Sequence, residues 1–433
     1  MKKERKNKKK IRNLIILCSF CAIILAVSTY AWFIGMKTVN VSSFDIDIAT
    51  TEGLFLSMDG TSWSYKLDAK NAQAYEGNVN TWAENGLIPM STVGDMDDTS
   101  SRLKLFEKGS LTTTKGGYRL LTSRVHNYET QNEKGNYIEG DGYVAFDLFI
   151  KNLSGTEYYT DNEPLNEEAI YLTTNSAVKV ASTGQNGTGI ENSVRVAFAQ
   201  IGRVKGDTTD ATNITGITCS NVEAADGKAQ VTGICRSAQI WEPNDTAHVQ
   251  NAINWYETSC LKRKPEGTNV TDAASYDTTL GDGAKTNCAT FTTTDAKPTY
   301  AISRALTIAD NVDVYDGAGY NSYENSTVDY ATYAQAEDKS QYKLVDFPYF
   351  TDTMKNKKGT ERPTFMTLAP NSITKVRVYV FIEGQDVDNY DFASLGKKIS
   401  INFGFTKERF TETDVNYEGP STDITPTTSQ DGE

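Results

Sequence analysis

Apolar and polar residues alternate most cleanly near the two ends of this chain. Val39-Asn-Val-Ser-Ser-Phe-Asp-Ile-Asp-Ile-Ala sets Phe44, Ile46 and Ile48 on one face and Asp45 and Asp47 on the other. That period of two predicts a strand with one buried side. Leu54 and Leu56 repeat the pattern, and Met58-Asp59-Gly60-Thr61 closes it with a tight turn. At the far end, the turn Ala369-Pro370-Asn371-Ser372 precedes Val376, Val378, Val380 and Ile382, which alternate with Lys375, Arg377 and Tyr379. Ile399, Ile401, Phe403 and Phe405 form the last predicted strand.

Between these ends the same period recurs. Val144, Phe146, Leu148 and Ile150 share a face, and Phe149 opposite them predicts partial cover on the second side. Ala169 to Leu172, Ala177 to Val180 and Ser193 to Ile201 read as further strands, whereas Ser62 to Gly142 reads as short strands and loops. From about Gly206 the composition shifts to Asp, Thr, Asn and Gly, so residues 206–345 read as an insertion. One short helix is expected inside it, from Thr246 to Tyr256: Asp245 can cap its start, and Val249, Ala252, Ile253 and Tyr256 follow helical spacing. Alternating strands without regular helical segments predict a mainly β chain, an antiparallel β-sandwich with a long loop-rich insertion and one short helix.

The first residues decide where such a body resides. Lys2 to Arg12 hold eight basic residues and one acid, a local charge of +7, and the uncharged span Leu14–Met36 follows. A basic cluster stays on the cytoplasmic side while an apolar span enters the export machinery. Thr29 and Ala31 are the small residues that a signal peptidase needs, so cleavage is expected between Ala31 and Trp32, with Ala26 and Ser28 as a second register. An uncleaved anchor ending near residue 36 is the alternative, because about 20 apolar residues cross a bilayer. Either way the chain is expected to be exported, as leader 1–31, ectodomain 32–410 and a polar tail 411–433 too poor in apolar surface to fold alone.

Charge narrows the partners. Removing the +7 of the leader from the chain's net −13 leaves −20 after Arg12. Such an exterior repels phosphate backbones and anionic lipid, which excludes nucleic acid and limits membrane contact to the N-terminal segment. Of six cysteines, Cys18 and Cys21 lie in the apolar span; Cys219, Cys235, Cys260 and Cys288 remain, with three possible pairings. Sequential pairing, Cys219 with Cys235 and Cys260 with Cys288, is preferred, each closure contributing about 3 kcal/mol. Free thiols are the alternative.

Motifs of catalysis are wanting. The two histidines, His126 and His248, have no partner at metal-ligand spacing, and His248 reads as a helix-surface residue. No GxSxG, phosphate loop or dinucleotide fingerprint occurs. No cofactor and no catalytic residue is therefore expected. Calcium candidates are Asp386, Asp388 and Asp391, and the run Asp95, Asp97 and Asp98, though neither follows the EF-hand spacing.

Three stretches carry a resemblance. Ser28-Thr-Tyr-Ala-Trp-Phe, with the strand that follows, resembles the signal peptides of the TasA–camelysin group, exported surface and biofilm-matrix proteins of Gram-positive bacteria. Ile240-Trp-Glu-Pro-Asn-Asp and Val380-Phe-Ile-Glu-Gly-Gln-Asp-Val-Asp are similar to segments of TasA-like exported proteins, and Ala145 to Asn152 resembles their mid-chain core strand. The resemblance implies a jelly-roll sandwich and, in matrix-forming members, polymerisation into fibres. A metalloprotease activity described for camelysin is not carried over, since this chain lacks a recognisable ligand set.

The leading expectation is thus a non-enzymatic structural or adhesive protein of the cell surface or matrix, its partners being signal peptidase, other surface proteins or itself. Val39 to Ile48 either adds to a neighbour's sheet edge or, as preferred, pairs within its own subunit. Two other classes compete. A carbohydrate- or ligand-binding module would expose Trp241 and Trp255; a secreted hydrolase would need a site that the motifs do not provide.

Overall fold

The computed structural model describes residues 39–48, 53–68, 80–83, 85–107, 111–114, 117–120, 137–184, 186–255, 292–295, 300–301, 307–308, 312–313, 345–384, 386–390, 393, 398–410 and 414. The leader with Ala31 and Trp32, His126, Cys260, Cys288, Asp391 and all but Asp414 of the tail lie outside them.

Two sheets make the body. The first runs in the order Met366–Leu368, Glu168–Leu172, Lys398–Thr406, Asn40–Ile48 and Lys66–Asp68, with Ala177–Val180 also paired to Lys398–Thr406. The second runs Leu54–Ser57, Val144–Asn152, Ser372–Glu383, Val194–Lys205, Gln239–Glu242 and Phe350–Thr351. The long central strands of the second sheet are antiparallel, with Phe146 opposite Val378 and Val378 opposite Phe198. The first sheet departs from the antiparallel expectation. Two of its inner strands, Asn40–Ile48 and Lys398–Thr406, are parallel, with Ile46 opposite Phe403 and Ile48 opposite Phe405. A parallel pair needs a long crossover, and here the crossover is nearly the whole chain.

The alternating apolar residues of both sheets meet in one core. Phe44 of the first sheet packs edge-on to Phe146 of the second at 5.5 Å between ring centroids. Phe198 meets Phe365 at 5.1 Å and Phe403 at 5.0 Å, both nearly perpendicular. Edge-to-face rings satisfy the aromatic quadrupole while filling the gap between sheets.

A second core covers the outer face of the second sheet. Phe149, Ala197, Ile201 and Tyr379 project there and are buried by Leu103, Ile214 and Ile240 among others. The cover expected from Phe149 is therefore present and extends over the face. Val194–Lys205 and Ser372–Glu383 are therefore buried almost without interruption, on both faces, polar residues included. Lys375, Arg377 and Tyr379 occupy the side that alternation assigns to solvent, yet all three are buried.

The expected insertion at 206–345 does not begin as an appendage. Gln239–Glu242 is a strand of the second sheet, Thr232–Gly233 pairs with Val194–Lys205, and Ile214 and Trp241 are core residues. Its polar composition conceals a few well-spaced apolar anchors. Cys219 and Cys235 are joined, their Cα atoms 5.3 Å apart, which pins this covering loop on itself. The expected helix is present at 250–255, but Asp245 does not cap it. Its carboxylate instead accepts from the backbone and hydroxyl of Thr353, in a short helix at Asp352–Lys355 that alternation did not reveal. A third short helix covers Ala211–Thr215, capped by Asp210.

The turn after the second strand has the expected chemistry. Asp59 accepts backbone N–H bonds of 2.8 Å from both Thr61 and Ser62. Burial alone would raise its carboxyl, but these bonds and that from Ser57 hold it down to about 2.

Candidate functional site: a buried ionic cluster around Arg195 and His248

Arg195 lies one residue into the Val194–Lys205 strand, on its outer face, where a strand buried on both sides leaves no water for a guanidinium. It is fully buried. Its Nη1 donates to the carbonyls of Asn192 at 2.9 Å and Val194 at 3.0 Å, and Nη2 pairs with Glu242 and Asp386. The guanidinium also stacks 5.1 Å from the centre of the Tyr349 ring. Burial would lower its pKa, but the carboxylates of Glu242 and Asp386 overcome this and push it up, so the charge is permanent.

Glu383, at the end of the Ser372–Glu383 strand, extends the cluster. Its Oε2 accepts from the Tyr349 hydroxyl at 2.9 Å and from Ser91 Oγ at 3.1 Å. Burial, then the neighbouring Glu383 charge, pushes the Tyr349 phenol well above its ordinary range.

On the other side, the Asp386 to Asp388 turn reaches the segment before the 250–255 helix. His248 Nδ1 lies 2.6 Å from Asp388 Oδ2, and its Nε2 lies 3.0 Å from the Asp295 carbonyl oxygen. Asp388 Oδ1 accepts the Val249 N–H at 3.1 Å, so Asp388 does the capping expected of Asp245. Each ring nitrogen faces an oxygen, an arrangement that the protonated, doubly donating imidazole satisfies. Burial opposes that charge, yet the bond to Asp388 prevails and raises the His248 pKa. Protonated, the ring offers no lone pair to a metal. Nor is it a helix-surface residue: its side chain is 6% exposed. The neighbouring turn comes so close that a Cβ on Gly189, at φ +83°, would lie 2.6 Å from Val249 and 2.8 Å from Asp388.

Two similar clusters sit elsewhere on the second sheet. Arg377 Nε and Nη2 grip Asp147 at 2.7 and 3.2 Å, while Nη1 reaches Glu139 at 3.1 Å. Glu139 also accepts from Tyr379 at 2.8 Å, and Lys375 stands 3.3 Å from Asp147. The third cluster centres on Glu167, held by Arg203 at 2.8 Å and by Arg236 at 2.8 and 3.0 Å. Each ties sheet strands to the loops that cover them.

The calcium candidates fall within this scheme. Asp386 and Asp388 are paired with Arg195 and His248, while Asp391 lies outside the described residues. Asp97 is engaged in its own turn, accepting from Ser100 Oγ and the Thr99 N–H. Asp98, Cys219 and Cys235 bring three ligand-type atoms within 4.8 Å of one another, but both sulfurs belong to the disulfide. Trp241 is buried, with its indole N–H on Asp352 at 2.9 Å, and Trp255 packs partly buried against the core. Neither is displayed as a ligand platform. The residues that sequence reasoning missed are Arg195, Arg203, Arg377, Glu242 and Glu383. Their one signal is a charge set inside an otherwise apolar strand run.

No protein-family model, curated protein or solved structure matches this chain. Among the described residues no helix is long and apolar enough to cross a membrane, and the span Leu14–Met36 lies outside them.

Proposed function

We propose that this chain is an exported structural or adhesive protein of the bacterial surface or extracellular matrix, working by contact. The observation that carries the reading is the basic cluster and uncharged span of residues 2–36, which lead almost directly into the strand Asn40–Ile48. Export then delivers a β body whose first strand lies inside a sheet, paired on both sides. Three further features support it. The buried ionic clusters link strands to covering loops, the short Leu54–Ser57 strand at one sheet margin is bonded to Ser64, and Gln200 caps the Thr367 carbonyl at the margin of the first sheet. Bonded groups at a sheet margin lower the risk of edge-to-edge aggregation in water. The resemblance to TasA–camelysin signal peptides agrees with this reading.

The slot for Asn40–Ile48 is filled from the same chain, between Lys398–Thr406 and Lys66–Asp68. This favours pairing within the subunit over strand donation to a neighbour. Surface biotinylation of intact cells tests the reading. A surface protein is labelled and becomes protease-sensitive without lysis; a chain that is labelled only after lysis contradicts it.

A further inference from the structure

Asn152, Glu168, Lys407 and Ser154 form a group that belongs to none of the three ionic clusters. Asn152 ends the Val144–Asn152 strand of the second sheet and is fully buried. Lys407 follows the Lys398–Thr406 strand of the first sheet, 255 residues away in sequence, and its Nζ lies 2.8 Å from Asn152 Oδ1. Glu168, which opens the strand Glu168–Leu172, sets Oε2 2.9 Å from Lys407 Nζ and 2.9 Å from Asn152 Nδ2.

The orientation of the carboxamide is fixed by backbone on both sides. Oδ1 accepts the Ser154 N–H at 3.3 Å, and Nδ2 donates to the Ala369 carbonyl at 3.1 Å. A flipped amide would lose both bonds. The lysine nitrogen therefore sits against the carbonyl of a buried amide, and one carboxylate touches both the entering and the leaving nitrogen. Ser154 Oγ stands 2.9 Å from Oδ1 and 2.6 Å from Glu168 Oε2. Its single proton serves Glu168 while that group is ionised, and turns to Oδ1 once Glu168 is protonated.

We infer that Lys407 and Asn152 condense into an intramolecular isopeptide bond, with Glu168 as the proton carrier. Glu168 takes one proton from the Lys407 ammonium. The freed lone pair adds to Asn152 Cγ, forming the Nζ–Cγ bond, and the charge gathering on Oδ1 is met by the N–H and O–H of Ser154. Glu168 then returns its proton to Nδ2, the Cγ–Nδ2 bond breaks, and nitrogen departs as ammonia, which takes up one of the two protons left on Nζ; the other stays as the N–H of the new amide. An ammonium and a carboxamide give a secondary amide and an ammonium ion. Nothing is oxidised, and no co-reactant is needed. Asn152 is fully buried and the Lys407 side chain is 13% exposed, which limits the access of competing water to Cγ, while the Glu168 side chain, 37% exposed, leaves ammonia a way out. Burial would raise the Glu168 carboxyl, but its bonds to Ser154, Asn152 and Lys407 hold it below its ordinary range, so it begins ionised. The product ties the two sheets covalently at one end of the sandwich. This inference is independent of where the protein resides.

Tryptic mapping of the purified full chain by mass spectrometry tests it. An acylated Lys407 resists trypsin, so the expected species is a branched peptide of residues 152–179 and 399–409, lighter by about 17 Da, one ammonia, than the sum of its parts. Recovery of 152–179 and 399–407 as separate, unmodified peptides from the wild-type protein overturns the inference. Lys407→Arg is expected to abolish the branched peptide, and Glu168→Gln to reduce its yield at least tenfold, with unchanged circular dichroism. A link formed at full yield in Glu168→Gln overturns the role given to that carboxylate.

Discussion

Arg377→Met is the sharpest test of how the buried charges work. Arg377 and Lys375 face Asp147 and Glu139, two cations against two carboxylates, all on the covered side of the second sheet. Removing the guanidinium breaks bonds of 2.7, 3.2 and 3.1 Å and leaves one negative charge in excess. Stripping one partner from a buried pair costs about 3–5 kcal/mol, because the remaining charge keeps its desolvation penalty. Lys375 remains on Asp147, and Tyr379 and Tyr143 remain on Glu139 at 2.8 and 2.5 Å, which places the loss near the lower bound. At about 3 kcal/mol per molar of urea, the unfolding midpoint should fall by about 1 M. The double variant Arg377→Met with Asp147→Leu restores the balance, since Lys375 then offsets Glu139, and should recover at least half of the loss. Urea unfolding of both variants followed by tryptophan fluorescence measures this. The reasoning is refuted by an Arg377→Met midpoint unchanged from wild type, or by a double variant weaker than the single one.

Three other expectations follow from single sites. Reducing or replacing the Cys219–Cys235 bridge, which closes 16 residues, should cost about 3 kcal/mol, read as a lower thermal midpoint in reductant. The raised His248 pKa means that its bond to Asp388 contributes fully below the ordinary value of 6.5 and is lost as pH rises through the folded value. Stability should therefore decline as pH rises above about 6.5, and His248→Phe should flatten that slope in urea titrations. Gly404→Ala places a Cβ 2.0 Å from Asp47 Oδ1 and 2.9 Å from Thr173 Oγ1; it should cost about 1–3 kcal/mol, and Asp47→Ala in the same chain should relieve most of that in calorimetry.

Much of the framework was open to reading in the sequence, because a period of two survives wherever one sheet face is buried. Asn40–Ile48, Val144–Asn152 and Lys398–Thr406 all emerged this way, within a residue or two of their observed ends. Pairing partners did not emerge. Alternation states which face is apolar and says nothing of direction, so the parallel match of Ile46 with Phe403 was invisible. The burial of Lys375 and Arg377 was also hidden, since a charge at an outward position looks the same whether it meets water or a carboxylate from a distant loop. His248 illustrates the same limit. Its partners, Asp388 and Asp295, lie 140 and 47 residues away, beyond any local spacing rule.

The account rests most heavily on export of a β body behind the leader, and N-terminal sequencing of the chain recovered from the cell exterior tests that directly. The predicted result is a surface-exposed or released chain that begins at Trp32, or one beginning at Met1 and held in the membrane. A soluble cytosolic chain that starts at Met1 would contradict it.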